Sequence, residues 1–188
     1  MTDAQLHTVA TAPERSKPLL EAAHKAAGRV PNLHALMAES PALLEGYQTL
    51  HRLAVEATGF TATERTVVWQ TVNVAHGCHY CVPAHTAIAR AEGIDDAVTE
   101  ALRDEEPLNE PRLDALRCFT LAVLHKRGQL SPGDMQAFLD AGYDNRAVMD
   151  VVAIVAQKLM SNYVNAIFGT PLDDALREFA RGSGRRAA

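Results

Sequence analysis

The chain is short of most features that betray a function directly. It has three cysteines, one tryptophan and 5% aromatic residues among 188, and 18 Lys and Arg against 23 Asp and Glu leave a net charge of −5. Three cysteines are too few for the disulfide framework of a small secreted scaffold. Residues 1–7 lack the basic and apolar regions of a secretory signal. A reducing, cytoplasmic setting is therefore expected, in which a close cysteine pair is catalytic or metal-binding rather than structural. The mildly acidic balance argues against nucleic acid or an anionic membrane as main partner. Arg177, Arg181, Arg185 and Arg186 carry no interleaved aromatics and read as a solvated end. No unbroken apolar run approaches the roughly 20 residues that span a bilayer. No glycine-rich nucleotide loop is present, since Gly77 and Gly93 stand alone, so no organic cofactor is expected.

What is present is an ordinary globular composition, 47% hydrophobic and 22% charged, of a size for one domain over 1–188. Its helix punctuation is legible. Ser40-Pro41 and Ser131-Pro132 each set a capping hydroxyl before a proline at the first helical position, and Asn109 with Pro111 resembles them. Thr61-Ala62-Thr63-Glu64 has the pattern of a capping box. Glycines 28, 59, 77, 93, 128 and 142 follow apolar-periodic stretches, where helices end. The spacing predicts helices near 14–27, 32–39, 41–57, 62–76, 79–92, 95–104, 110–127, 132–141 and 145–168, with 1–12 and 180–188 poorly ordered. The run Thr66–Val74 is rich in β-formers, but Val67, Val68 and Trp69 are consecutive and break strand alternation, so a helix is expected. The fold class is all-α.

The chemistry concentrates in Ala75-His76-Gly77-Cys78-His79-Tyr80-Cys81-Val82-Pro83-Ala84-His85. Two thiols in C-x-x-C can close a disulfide with little backbone movement. On a helix, Cys81 and His85 lie one turn apart on one face. An imidazole beside a thiol can take its proton, and the thiolate is the reactive form. Gly77 ends one helix, and Pro83 is tolerated only near the start of the next. That places Cys78 near a helix cap and Cys81 in or near the first turn, where the helix dipole lowers a thiol pKa. Two bland readings compete. The cysteines could be inert core residues, or His76, Cys78, Cys81 and His85 could bind zinc, although one helix start cannot easily wrap four ligands round a tetrahedral ion. His79 and Tyr80 read as packing or solvent-facing, Cys118 as a core residue and Trp69 as packing. His51 and His125 receive no role.

With its flanks, this segment resembles the alkylhydroperoxidase D-like family, which includes carboxymuconolactone decarboxylase. The resemblance is carried by Thr63-Glu64-Arg65, by Asn73 through Thr86, and by Gly93-Ile94-Asp95-Asp96. It extends to Val30-Pro31-Asn32-Leu33 and Met37 through Tyr47 upstream, and to Ala141-Gly142-Tyr143 and Asn162-Tyr163-Val164-Asn165 downstream, as in peroxidase-related members. It implies an all-α fold, homo-oligomers (trimers or hexamers) and a peroxidase or thiol-disulfide oxidoreductase activity. By that resemblance Cys81 attacks a hydroperoxide, Cys78 resolves the sulfenic acid to a redox-active disulfide, His85 relays the proton, and an external dithiol or lipoyl-type carrier reduces the pair. The alternative it allows is an acid/base enzyme acting on a small carboxylated ring. Two positions depart from the family's relay: Thr66 stands where its best-known members carry a glutamate, and Tyr80 where they carry a histidine. Glu64 lies two residues from the relay position, on nearly the opposite helix face, and is better read as a cap.

Overall fold

Ser40 and Ser131 act as their positions predict. Each side chain accepts a hydrogen bond from the backbone N–H three residues on, and Pro41 and Pro132 open the helices that follow. Thr61 and Glu64 form the reciprocal capping box. In the computed structural model, which describes residues 5–180, these signals separate α1 (Lys17–Ala27), α2 (Asn32–Met37), α3 (Pro41–Glu56), α4 (Ala62–Ala75), α5 (Cys81–Ala91), α6 (Asp96–Arg103), α7 (Pro111–His125), α8 (Pro132–Asp140) and α9 (Asn145–Phe168). A 3₁₀ turn over Glu14–Ser16 precedes α1, and an unforeseen one over Asp174–Phe179 follows α9. Among the described residues there is no strand, and the fold is a single all-α domain.

Three local expectations are corrected. Asn109 does not cap α7: the N-cap residue is Glu110, without a side-chain bond, and Asp114 instead accepts from the Leu108 N–H. Gly59 does not adopt a left-handed conformation; its N–H donates to Asp150 Oδ2 at 2.9 Å, tying the α3–α4 connection to α9. Cys118 is exposed, because the buried stripe of α7 is Leu113, Leu116, Phe119, Thr120 and Val123. At the ends, residues 5–12 run against α2, where the His7 N–H donates to Ala35 O at 3.1 Å and the ring meets Glu39. Residues 1–4 and 181–188 lie outside the described residues.

α4 is the axis of the molecule. Every residue from Glu64 to Asn73 is buried, which explains both the helix and its lack of a polar face. It packs against α5, α6, α7 and α9. One core cluster gathers Val68, Trp69 and Val72 with Leu116, Phe119, Phe138 and Ile154, and the rings of Phe119, Phe138 and Tyr143 stack in series. A second cluster holds Leu20, Leu33, Leu44 and Tyr47 around Cys78 and Cys81. α9 exceeds the sequence expectation: by length and composition its 24 residues would suffice to cross a bilayer. Half of its most apolar window is buried within the fold, and its inner face carries Gln157, Lys158, Ser161, Asn162 and Asn165, so it packs as a core helix of this domain.

Candidate active site

The end of α4 sets the first thiol. Gly77, at φ 57°, lets the chain leave the helix left-handed. The Gly77 N–H then bonds Val74 O at 2.8 Å and the Cys78 N–H bonds Asn73 O at 3.0 Å, the paired bonds of a glycine helix stop. Cys78 therefore sits in the connection rather than at the helix cap. The N-cap of α5 is Tyr80, and Cys81 is its first residue. The Cys81 N–H, one of the unpartnered donors of a helix start, is satisfied by Cys78 Sγ at 3.2 Å.

The structure brings both thiols together, reduced and buried. Polar groups of α9 surround Cys81: Asn165 Nδ2 donates to its sulfur at 3.2 Å and Asn162 Nδ2 at 3.3 Å, while Ser161 Oγ, whose own proton goes to Lys158 O, lies 3.6 Å away as an acceptor. A chain of buried amides orients them. Gln70 donates to Val82 O and Thr86 Oγ1, Asn73 donates to Gln70 Oε1 at 3.0 Å, and Asn162 donates to Asn73 Oδ1 at 3.1 Å. The Cys81 thiol is held below its ordinary value, first by the hydrogen bond from Cys78, then by the charge of Lys158 and the bonds with Ser161 and Asn165, against the opposing effect of burial. Cys78 is pushed up, by that same bond, by burial and by the charge on Cys81. The asymmetry favours the thiolate at Cys81 and the protonated thiol at Cys78.

His85 makes no hydrogen bond to the Cys81 sulfur, the contact that the sequence suggested. Its Nε2 lies 2.8 Å from Lys158 Nζ, and its Nδ1 is buried without a hydrogen-bond partner among the described residues. Burial, with the Lys158 charge adding to it, holds the imidazole well below its ordinary value, so it is neutral and can accept a proton or a hydrogen bond at Nε2. Lys158 is fully buried, its ammonium disfavoured by burial and favoured by the charges of Cys81 and Cys78. The sequence reading missed Lys158, Asn162 and Asn165 as site groups. The available signal was a polar stripe at helical spacing (157, 158, 161, 162, 165) inside an otherwise apolar helix.

The other singled-out residues fall elsewhere. His76 turns to Asn162 Oδ1 and stacks edgewise on Tyr163, while His79 bonds Thr170 O. The four zinc candidates therefore diverge, and no group of three or more His, Cys, Asp or Glu converges on a metal site among the described residues. Tyr80 donates to Asp173 and accepts from the Leu33 N–H, pinning the cysteine turn to α2 and the C-terminal segment. Glu64 is engaged by Thr61 and by Arg112 Nη1 at 2.7 Å, so it is a cap and not a relay. Trp69 packs, as expected, but it packs on the site: its ring stacks on His51 at 5.2 Å and leans on His85 at 5.0 Å.

A cavity of about 670 Å³ opens in front of Cys81. Cys81, His85 and Lys158 line it with Tyr47, Tyr80, His34 and His51; Cys78 lies behind. A substrate would thus meet Cys81 first.

Comparison with known proteins agrees with this fold. Residues 41–119 match the family model described as the carboxymuconolactone decarboxylase family. No curated protein matches the chain. Among solved structures, the alkylhydroperoxidase AhpD core of Ralstonia eutropha JMP134, an uncharacterized peroxidase-related protein, superposes with a TM-score of 0.81 at 25% identity over 91% of this chain and 92% of that one. A peroxidase-related protein of Silicibacter sp. TM1040 has a TM-score of 0.77 at 18% identity, over 93% and 95% of the two chains. The debrominase Bmp8, in a variant complexed with 2,3,4-tribromopyrrole, has a TM-score of 0.78 at 17% identity, over 95% and 96%. The last two likenesses carry the fold alone. The family match and the first neighbour support an enzyme with a peroxidase-related or decarboxylase-like role. The chain thus has the all-α fold of the alkylhydroperoxidase AhpD core, and its cysteine helix lies within the segment, residues 41–119, that is similar to the carboxymuconolactone decarboxylase family.

Proposed function

We propose that this protein is a cysteine-based peroxidase of the thiol-disulfide oxidoreductase type, with Cys81 as nucleophile and Cys78 as resolving thiol. The observation that carries the reading is the donor shell on Cys81 Sγ: two amide N–H groups at 3.2 and 3.3 Å, with a buried ammonium nearby in charge. Amide donors stabilise a thiolate far better than a thiol. Free buried cysteines kept only for packing have no need of them.

The Cys81 thiolate attacks one peroxide oxygen. An S–O bond forms, the O–O bond breaks, and the leaving alkoxide takes a proton, which the Lys158–His85 pair lining the cavity supplies. Cys81 is then a sulfenic acid, two electrons more oxidised. Cys78 attacks that sulfur, the disulfide forms, and water leaves. An external dithiol or lipoyl-type carrier reduces the disulfide and is itself oxidised. In this scheme His85 acts through Lys158 rather than on the sulfur. The expected result is that Cys81→Ser abolishes peroxide-dependent oxidation of dithiothreitol, while Cys78→Ser retains one peroxide equivalent per chain as a trappable sulfenic acid. Wild-type turnover in Cys81→Ser would overturn the assignment.

The family's name and the cavity-lining Lys158–His85 pair favour a second reading, an acid/base enzyme acting on a small carboxylated ring. Full lactone turnover after alkylation of both site thiols would establish it in place of the first.

A further inference from the structure

Thiol chemistry alone does not account for the walls of the cavity. Alanines carpet two sides, among them Ala23, Ala26 and Ala27 of α1 and Ala84, Ala87 and Ala91 of α5. Such small side chains leave the space of about 670 Å³ open, within the roughly 300–1,000 Å³ of sites that enclose organic molecules. Hydrogen peroxide requires no such room. The charged side chains that line this space, among the described residues, are all basic. Arg29 and Arg52 line it with side chains 44% and 57% exposed, which places them at its mouth. Lys158 lies buried and lines the cavity with Cys81, and no Asp or Glu among the described residues lines it. His34 and His51 add no charge at neutral pH, since burial pulls both down to about 4. Arg29 pairs with Asp173 at 3.4 Å and Arg52 with Glu56 at 2.8 Å. Each guanidinium has five N–H donors, so one such pair leaves donors free for a second carboxylate.

We infer that the cavity takes an amphipathic monocarboxylate, an apolar chain or ring lying on the alanine surfaces with its carboxylate held at the mouth by Arg29 and Arg52. For the reactive end, directed at Cys81, this rests on the thiol reading above; for binding it rests on the cavity alone. Arg29 and Arg52 are then specificity residues, and the preferred hydroperoxide carries a carboxylate remote from the peroxide.

The test is calorimetric titration of the reduced full chain with decanoate and, separately, with 1-decanol. Decanoate is expected to bind at least about tenfold more tightly, a difference of about 1.4 kcal/mol. The Arg29→Gln/Arg52→Gln double variant should lose that preference while still binding decanol, which also shows that it is folded. Ala26→Trp, which fills the cavity, should lose both ligands. Equal binding of acid and alcohol by the wild type, or a preference that survives the double replacement, overturns the inference. A parallel assay compares a carboxylated organic hydroperoxide, its methyl ester and hydrogen peroxide. Arginine-dependent decanoate binding without turnover of any of the three leaves the ligand class standing and removes the peroxidase. Equal turnover of all three without decanoate binding does the reverse.

Discussion

At the scale of single residues, the site depends on a cation that is remote in sequence. Cys81 and Lys158 are brought together because α5 and α9 both pack on α4, and side chains of α9 reach across to α5. The local part of the site was legible: C-x-x-C, the helix stop at Gly77, and Pro83 in the first turn all follow from chemistry within ten residues. The rest was not, because which polar residues of α9 point inward depends on that helix's rotation against α4 and α5. His85 shows the same limit. Its one-turn offset from Cys81 is real, yet its Nε2 lies 2.8 Å from Lys158 Nζ, on a helix remote in sequence. Replacing Lys158 with Met should raise the Cys81 pKa by removing the positive charge while keeping the volume. The midpoint of the pH dependence of Cys81 labelling by iodoacetamide is expected to move up by about one pKa unit. Unchanged labelling would assign the thiolate's stability to the amides alone.

At the scale of elements, capping chemistry placed the helices, and burial decided where composition was ambiguous. The β-rich run in α4 is helical because it is surrounded on all sides, so no face needs to be polar. Asn109 and Cys118 were misjudged for the opposite reason: their roles depend on one residue of phase at the start of α7 and along it. The turn after α4 carries the most functional weight, since it sets Cys78 behind Cys81. An added Cβ at Gly77 would meet nothing within 4 Å, so the strain of Gly77→Ala comes only from its φ of 57°. The expected cost is about 1 kcal/mol, the left-handed penalty of an L-residue, read as a lowered thermal midpoint. A larger fraction of that change should appear in the disulfide's reduction potential than for Ser131→Ala. The latter removes a cap from α8, far along the chain from the cysteines, at a comparable cost of about 1 kcal/mol. Equal potentials in the two variants would mean that the turn does not tune the thiol pair.

At the scale of the whole molecule, one surface remains unpartnered. Met149, Val152, Tyr163 and Ile167 of α9 are 49–70% exposed and recur at helical spacing on one side. Beside them a groove of about 580 Å³ runs between α7 and α9, lined by Val123, Leu124, Val152, Ala156 and Leu159. Apolar stripes of this kind mark interfaces. We propose that a second copy of the chain covers it, in keeping with the homo-oligomer that the family resemblance implies. Light scattering should give a mass that is a multiple of the chain's, and Met149→Glu with Ile167→Glu should reduce it to the monomer's without loss of helicity. A monomeric wild type would contradict this.

The thiols themselves provide the most direct test. Their individual titrations can be followed by the pH dependence of alkylation, with each cysteine identified by peptide mass spectrometry. Cys81 should label as a thiolate well below the roughly 8.5 of a free cysteine, losing reactivity only as the pH falls through its depressed pKa, while Cys78 should label only above that value. Cys81 titrating at or above the free-thiol value, or Cys78 titrating first, would contradict the account.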